Sequence, residues 1–322
     1  MAYVAFRDIR ENLYGKLKRQ LKDPEGIVAR GWNIDEVKTP SELSGLRLPV
    51  NLLAYKYCPT NRDLYLNKVK GIRQPPTWPS YQGRLVHGLM LDILKSVRNY
   101  ASRPHNIAKI DLLKYAQKRG RTLIENATIN IDQETAKFKL RPSQAKKKEF
   151  VNNLHRLVRM ESEIVSAFVD YTIATNEDIN LESEFSRIFA FQQEICLNAG
   201  PLGLTPSIKP DFIYKPGDMV IMGEIKTGEL KEFHKIGVAA YAMAYEYEEE
   251  VPVNFGIILN VAFRNRNVPI YKGTEAFVIS DEYRKAFLNL RDQKLNMLKD
   301  GIEPERVPDK GQCKDCPYID CC

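Results

Sequence analysis

Between Pro210 and Gly228 the chain reads PDFIYKPGDMVIMGEIKTG, two short apolar runs joined by a Lys-Pro-Gly-Asp turn. That pattern is a β-hairpin signature, and nothing else in the sequence restricts the fold as strongly. A stretch with strand-like alternation, EFSRIFAFQQEICL, comes before it. Residues 231–250 read as a helix after it, and NFGIILNVAF then has the continuous apolar character of a buried strand. AFVIS adds a further strand, DEYRKAFLNLRDQKLNMLK a closing helix, and the last stretch is loop. Three strands, a helix and a strand in this order make an α/β core.

Upstream, Pro40, Pro49, Pro59, Pro75, Pro76 and Pro79 punctuate short elements. NLLAYKY and RDLYLNKV read as short helices with Cys58-Pro59 at their joint. A longer helix is expected from about Tyr81 to Tyr100, where Leu85, Leu89, Ile93 and Val97 repeat every four residues. Residues 104–177 also look helical, with Leu154, Leu157, Val158 and Ile164 as an apolar stripe. The expected organisation is therefore an N-terminal segment (1–80), a helical region (81–180), an α/β core (181–300) and a C-terminal cysteine tail (301–322). At 322 residues and 43% hydrophobic content, there is enough apolar material for one large domain or a core with a large insertion. No apolar run is long enough to cross a bilayer, and MAYVAFRDIR lacks the apolar stretch of a signal peptide. A cytoplasmic chain without a membrane partner is the expectation. The net charge of +7 agrees with a nucleic-acid partner but is shared by many unrelated enzymes.

The hairpin carries the chemistry. Glu224 and Lys226 are two apart on one strand, so both project from one face, and Asp211 can sit beside them on the facing strand. Two carboxylates of this kind can hold Mg²⁺ or Mn²⁺ through oxygen. Such an ion acidifies a water and steadies a leaving oxygen, while a lysine offsets charge on a phosphoryl transition state. The same Glu-x-Lys spacing also occurs in solvated cross-face ion pairs, and Pro-Asp is a common turn dipeptide. His87, in GRLVHG, becomes a third metal ligand if its helix packs against the hairpin; otherwise it is a structural or exposed histidine.

Four of the six cysteines fall in the last ten residues: Cys313, Cys316, Cys321 and Cys322. Cys313, Cys316 and Cys322, with Cys321 adjacent to the last, join Cys58 to supply four thiolates, for which zinc and iron–sulfur clusters are the candidates, and one distant cysteine joined to a terminal group is less typical of zinc. Cys196, inside an apolar strand pattern, reads as an inert buried residue. Residues 141–159 set Arg141, Lys146, Lys147, Lys148, Arg156 and Arg159 against a single acid, Glu149. That helix either tracks a phosphate backbone or is a solvated face.

GRLVHG, Pro-Asp and GEIKTG in this order resemble the RecB-type branch of the PD-(D/E)xK nucleases, whose core is restriction-endonuclease-like. The resemblance implies that His87, Asp211 and Glu224 bind Mg²⁺ or Mn²⁺ and that Lys226 is the catalytic lysine. The branch carries Gln-x-x-x-Tyr on the next helix; here Tyr241 matches the tyrosine as a further catalytic residue, and Gly237 stands at the glutamine. The cysteine layout, with the strings RGWN and YKYCPTNRDLYL, resembles the CRISPR-associated RecB-like iron–sulfur nuclease family of the spacer-acquisition module, in its archaeal subtype I-A variant. That resemblance implies a [4Fe–4S] or, in some members, [2Fe–2S] cluster on Cys58, Cys313, Cys316 and Cys322, with Cys321 as the rival ligand. It also implies exonuclease action on single-stranded DNA or duplex ends during prespacer processing, beside an integrase and other adaptation proteins. The alternatives are a non-catalytic iron–sulfur DNA-binding subunit, a general DNA-repair nuclease, or a redox sensor that uses the cluster.

Overall fold

The computed structural model describes residues 14–307 apart from 22, 75, 102–111, 139, 141, 175–190, 194, 216–218 and 265–267, together with Cys313, Cys316, Tyr318 and Ile319. Short helices α1 (Tyr14–Gln20), α2 (Ile34–Val37), α3 (Val50–Leu53) and α4 (Arg62–Lys68) lead into three long ones. These are α5 (Trp78–Ala101), α6 (Leu112–Lys137) and α7 (Gln144–Ala174). The α/β part follows as β1 (Phe191–Gln193), β2 (Phe212–Tyr214), β3 (Ile221–Thr227), α8 (Glu232–Glu249), β4 (Phe255–Arg264), β5 (Val268–Val278) and α9 (Asp281–Asp300).

The strands form one five-stranded mixed sheet in the order β1-β2-β3-β4-β5. β2 and β3 pair antiparallel, Phe212 opposite Gly223, as the hairpin pattern predicts. β3 and β4 are parallel, because α8 carries the chain back across the sheet between them. Side chains alternate along the strands and so feed two cores. Ile221, Ile225, Ile257 and Leu259 pack with Val86, Met90 and Leu154 of α5 and α7. Met222 and Ile258 pack with Val238, Met243 and Phe287 of α8 and α9 on the other face. The chain is therefore a mixed α/β fold with helices on both faces of the sheet. No helix among the described residues is long and apolar enough to cross a membrane.

Several expectations need correction. The NLLAYKY helix stops at Leu53, and Tyr55–Tyr57 leave it as irregular backbone. The helical region is broken near Pro142; α7 starts afresh where Ser143 Oγ accepts the Lys146 amide at 3.3 Å, an N-cap. β5 is longer than AFVIS, reaching back to Val268. Cys196 is exposed rather than buried, because the described part of the first strand ends at Gln193. All of EFSRIF and the Pro-Gly-Asp of the hairpin turn lie outside the described residues.

A charged cluster ties the N-terminal segment to the core. Glu246 of α8 is fully buried and accepts from Arg30 Nη1 at 2.7 Å and from Arg284 Nη1 and Nη2 at 2.5 and 2.9 Å. The amides of Gly31 and Val253 complete its set at 3.0 Å each. A side chain at Gly31 would collide with the carbonyl of Met243, so glycine is required for this approach to α8. Glu246→Ala leaves two buried guanidinium groups without their anion and is expected to cost about 3–5 kcal/mol of stability. Denaturant titration of both chains checks this, and a loss below about 1 kcal/mol would contradict it.

Candidate active site

The hairpin brings the predicted groups together. Asp211 immediately precedes β2, opposite the middle of β3, and its Oδ2 accepts the Ile225 amide at 2.6 Å. His87, one helical turn beyond Gly83 on α5, meets the same oxygen through Nε2 at 2.6 Å. The helix does pack beside the hairpin, and glycine permits it: a Cβ on Gly83 would lie 2.5 Å from Thr227 Oγ1. Glu224 and Lys226 project to one side of β3 and form an ion pair through Glu224 Oε1. Tyr241, half-buried on α8, lies close enough to Glu224 and Asp211 that their charges add to burial in raising its phenol above the ordinary value.

The electrostatics are those of a buried charge cluster. Burial raises the Glu224 carboxyl, with Asp211 adding to the effect and Lys226 opposing it. Burial pulls the Lys226 ammonium down, but the charge and hydrogen bond of Glu224 prevail and hold it above its usual value. His87 follows the same pattern, with Asp211 outweighing burial so that the imidazole is more basic than usual.

Tyr55 is the site residue that sequence reasoning missed. Its hydroxyl donates to Glu224 Oε1 at 3.1 Å and accepts from Lys226 Nζ at 2.9 Å, and the ammonium sits 4.7 Å from the ring centroid. Tyr55 belongs to the YKYC string, but its partners lie 169 and 171 positions away, and no local periodicity reports such a contact.

His87 Nε2 is engaged by Asp211 and Glu224 Oε1 by Lys226, and among the described residues no three His, Cys, Asp or Glu side chains already surround a common point. The chain's own cations thus neutralise its carboxylates. The donor set nevertheless fits a divalent cation in kind, two carboxylates and an imidazole. Glu224 Oε2 supplies the telling detail, being buried without a hydrogen-bond partner among the described residues. A buried carboxylate oxygen left bare is costly unless something binds it.

His234, which caps α8 by accepting the Lys231 amide at 3.1 Å, stands edge-on to Tyr55. Burial, then Lys226 and Lys231, lower its pKa from 6.5 to about 4. The unfolded chain therefore binds more protons between these values, and this group's share of stability is lost as pH falls from 6.5 toward 4. His234→Gln is expected to flatten that part of the pH dependence of the thermal midpoint. An unchanged acid limb would show that His234 is not its source.

The basic residues of α7 divide. Lys146 is exposed at the rim of a cavity of about 530 Å³ that also touches Trp78, Gly83, Phe150, Thr227 and Gly228, and so adjoins the end of β3. Lys148 is exposed and Arg156 half-buried. Lys147 is paired with Asp132 of α6 at 2.7 Å and Arg159 with Glu163 at 2.8 Å. Arg141 lies outside the described residues.

The C-terminal tail returns to the first cysteine. Arg62 of α4 pairs with Glu303 and donates to the Pro304 carbonyl at 2.6 Å, and Asn67 donates to the Tyr318 hydroxyl at 2.9 Å. Tyr318 packs on Tyr65 and Leu66. Cys58 is buried, and burial, with Asp63, Cys58 and Cys313 adding to it, pushes the Cys316 thiol up. Cys58 and Cys313 thus act on Cys316 electrostatically, but among the described residues the three thiols do not yet surround a common point; in kind they are soft donors of the sort that bind iron or zinc. Cys321 and Cys322 lie outside the described residues.

A histidine, two carboxylates and a lysine held together at the hairpin suit phosphodiester cleavage, and comparison with known sequences places the chain among nucleases. It belongs to the family described as CRISPR-associated exonuclease Csa1, whose profile matches residues 6–322. A relative from Thermoproteus tenax, named CRISPR-associated exonuclease Csa1, is 27% identical over 299 residues, covering 91% of this chain and 90% of its own. A relative of the same name from Saccharolobus solfataricus is 26% identical over 301 residues, covering 93% and 92%.

Proposed function

We propose that this CRISPR-associated nuclease is a Mg²⁺- or Mn²⁺-dependent DNA exonuclease that trims single strands or single-stranded ends during prespacer processing. The observation that carries the reading is the bare, buried Glu224 Oε2 beside Asp211 and His87. His87, Asp211 and Glu224 are the residues that would hold the ion, which when bound would lower the pKa of a water and offset charge on the leaving oxygen. Lys226 stays protonated, because Glu224 raises its pKa, so it serves as a fixed positive charge for the phosphoryl transition state and not as a base. Asp211 orients His87 and is itself held by the Ile225 amide, which keeps both side chains at the hairpin. Tyr241 bounds the same space from α8.

Lys146, exposed near the end of β3, and Lys148, exposed on the same helix, are the cations that would meet the incoming strand, with Lys147, Arg156 and Arg159 as weaker contributors. Replacing Lys146, Lys147 and Lys148 by alanine is expected to weaken single-stranded DNA binding and to lower the log–log salt slope by up to about two, each phosphate contact contributing roughly 0.7. Unchanged affinity and slope would return this run to an ordinary solvated face. Cys58, Cys313 and Cys316, with Cys322 or Cys321, would hold the iron–sulfur cluster, [4Fe–4S] in preference to [2Fe–2S], as a clasp between the N-terminal segment and the tail. An integrase and other adaptation proteins are the partners this role calls for.

The test is degradation of end-labelled single-stranded DNA as Mn²⁺ or Mg²⁺ is added back to chelator-treated protein. Shortening of the label that requires the cation supports the proposal. Cutting that persists in chelator removes the metal from it, and no cutting on any strand favours a non-catalytic DNA-binding subunit.

A further inference from the structure

Gly237 lies inside α8, in its second turn, and is buried. A Cβ built there would lie 2.6 Å from Tyr55 Cε1 and within 3.3 Å of the Tyr55 hydroxyl oxygen. With no side chain at Gly237, the ring of Tyr55 fills the space beside α8. The ring is held from several sides. Phe233 and His234 contact it at centroid distances of 5.5 and 5.3 Å. Behind it, Lys294 of α9 donates to the Tyr55 carbonyl at 2.5 Å and to the Leu52 carbonyl at 2.7 Å, fixing the irregular backbone that follows α3.

We propose that Tyr55, admitted by Gly237, is the positioning residue for Lys226. Its hydroxyl accepts from the ammonium while donating to Glu224 Oε1, and its ring face lies against the same ammonium. The ammonium is thereby confined to the Oε1 side of Glu224, which leaves Oε2 free for a cation. Tyrosine suits this task because it offers an acceptor, a donor and a π face from one rigid side chain. The role rests on the nuclease reading given above, but the confinement of Lys226 does not.

The experiment has two arms. In chelator-treated full-length protein, acylation of individual lysines by an N-hydroxysuccinimide ester is followed by peptide mass spectrometry. Tyr55→Phe is expected to speed modification of Lys226 about tenfold while leaving buried Lys294 unchanged; that rise is local and is not what a loosened fold would give. An unchanged Lys226 rate overturns the proposal whatever the activity. In the second arm, DNA degradation with Mn²⁺ is measured for wild type, Tyr55→Phe and Gly237→Ala. Both variants are expected to lose about tenfold in kcat with KM within twofold. Alanine favours helix over glycine, so a loss in Gly237→Ala reflects displacement of Tyr55 and not a weakened α8. Full kcat in both variants overturns the role. If wild type cuts no DNA, the nuclease reading fails, and the labelling arm still decides where Lys226 is held.

Discussion

Glu224→Gln is expected to lower DNA cleavage by about a thousandfold or more, the scale on which a single essential charge-stabilising group acts. It is also expected to leave the fold in place. The substituted amide is nearly isosteric, and its oxygen can still accept from Tyr55 and Lys226, the two groups that now meet Oε1. What it loses is the negative charge at Oε2, the bare atom on which cation binding depends. Cleavage rate, Mn²⁺ affinity and thermal midpoint should therefore separate: the first two collapse and the third stays within a few degrees. A glutamine variant that binds Mn²⁺ and cuts as wild type does would remove Glu224 from the site.

The second large effect concerns stability. Cys58→Ala is expected to abolish the iron content of the purified protein and to lower its thermal midpoint. Cys58 and Cys313 are more than 250 residues apart in the sequence, so a clasp between them restricts the unfolded chain strongly. By the chain-entropy expression used for disulfides, a loop of that size is worth about 5 kcal/mol, an upper figure for a reversible cluster. The tail keeps other anchors, among them Arg62 with Glu303 and the packing of Tyr318 on Tyr65, so it need not detach completely. Full iron content in Cys58→Ala would show that the cysteine pairing is wrong. Cys321→Ala and Cys322→Ala, compared in the same way, identify the fourth ligand.

What the sequence disclosed follows the reach of local rules. The β2–β3 hairpin was legible because a turn-forming Lys-Pro-Gly-Asp separates two apolar runs. Glu224 and Lys226 could be placed on one face because strand side chains alternate with a period of two. The helix of His87 was visible from its repeat of leucine and isoleucine, and its docking on the hairpin could be stated as a condition, which the structure meets through Gly83 and Thr227. Tyr55 and the Arg30–Glu246–Arg284 cluster were not legible, since each joins residues that only the folded chain brings together. In the sequence Gly237 is only a departure from a motif, because the ring of Tyr55 that occupies the space beside it comes from more than 180 positions away. The apolar run around Cys196 suggests a strand interior, but the described part of β1 ends at Gln193 and Cys196 is exposed.

The central claim is that the groups at the hairpin cut DNA, and Lys226 tests it most directly because it carries charge without being among the cation's expected ligands. The measurement is degradation of end-labelled single-stranded DNA in Mn²⁺ by wild type and Lys226→Ala, with Mn²⁺ binding recorded for both. The account predicts steady shortening of the label by wild type, none by the variant, and Mn²⁺ bound by each. Equal activity in the two chains, or none in either across several substrates, would contradict it.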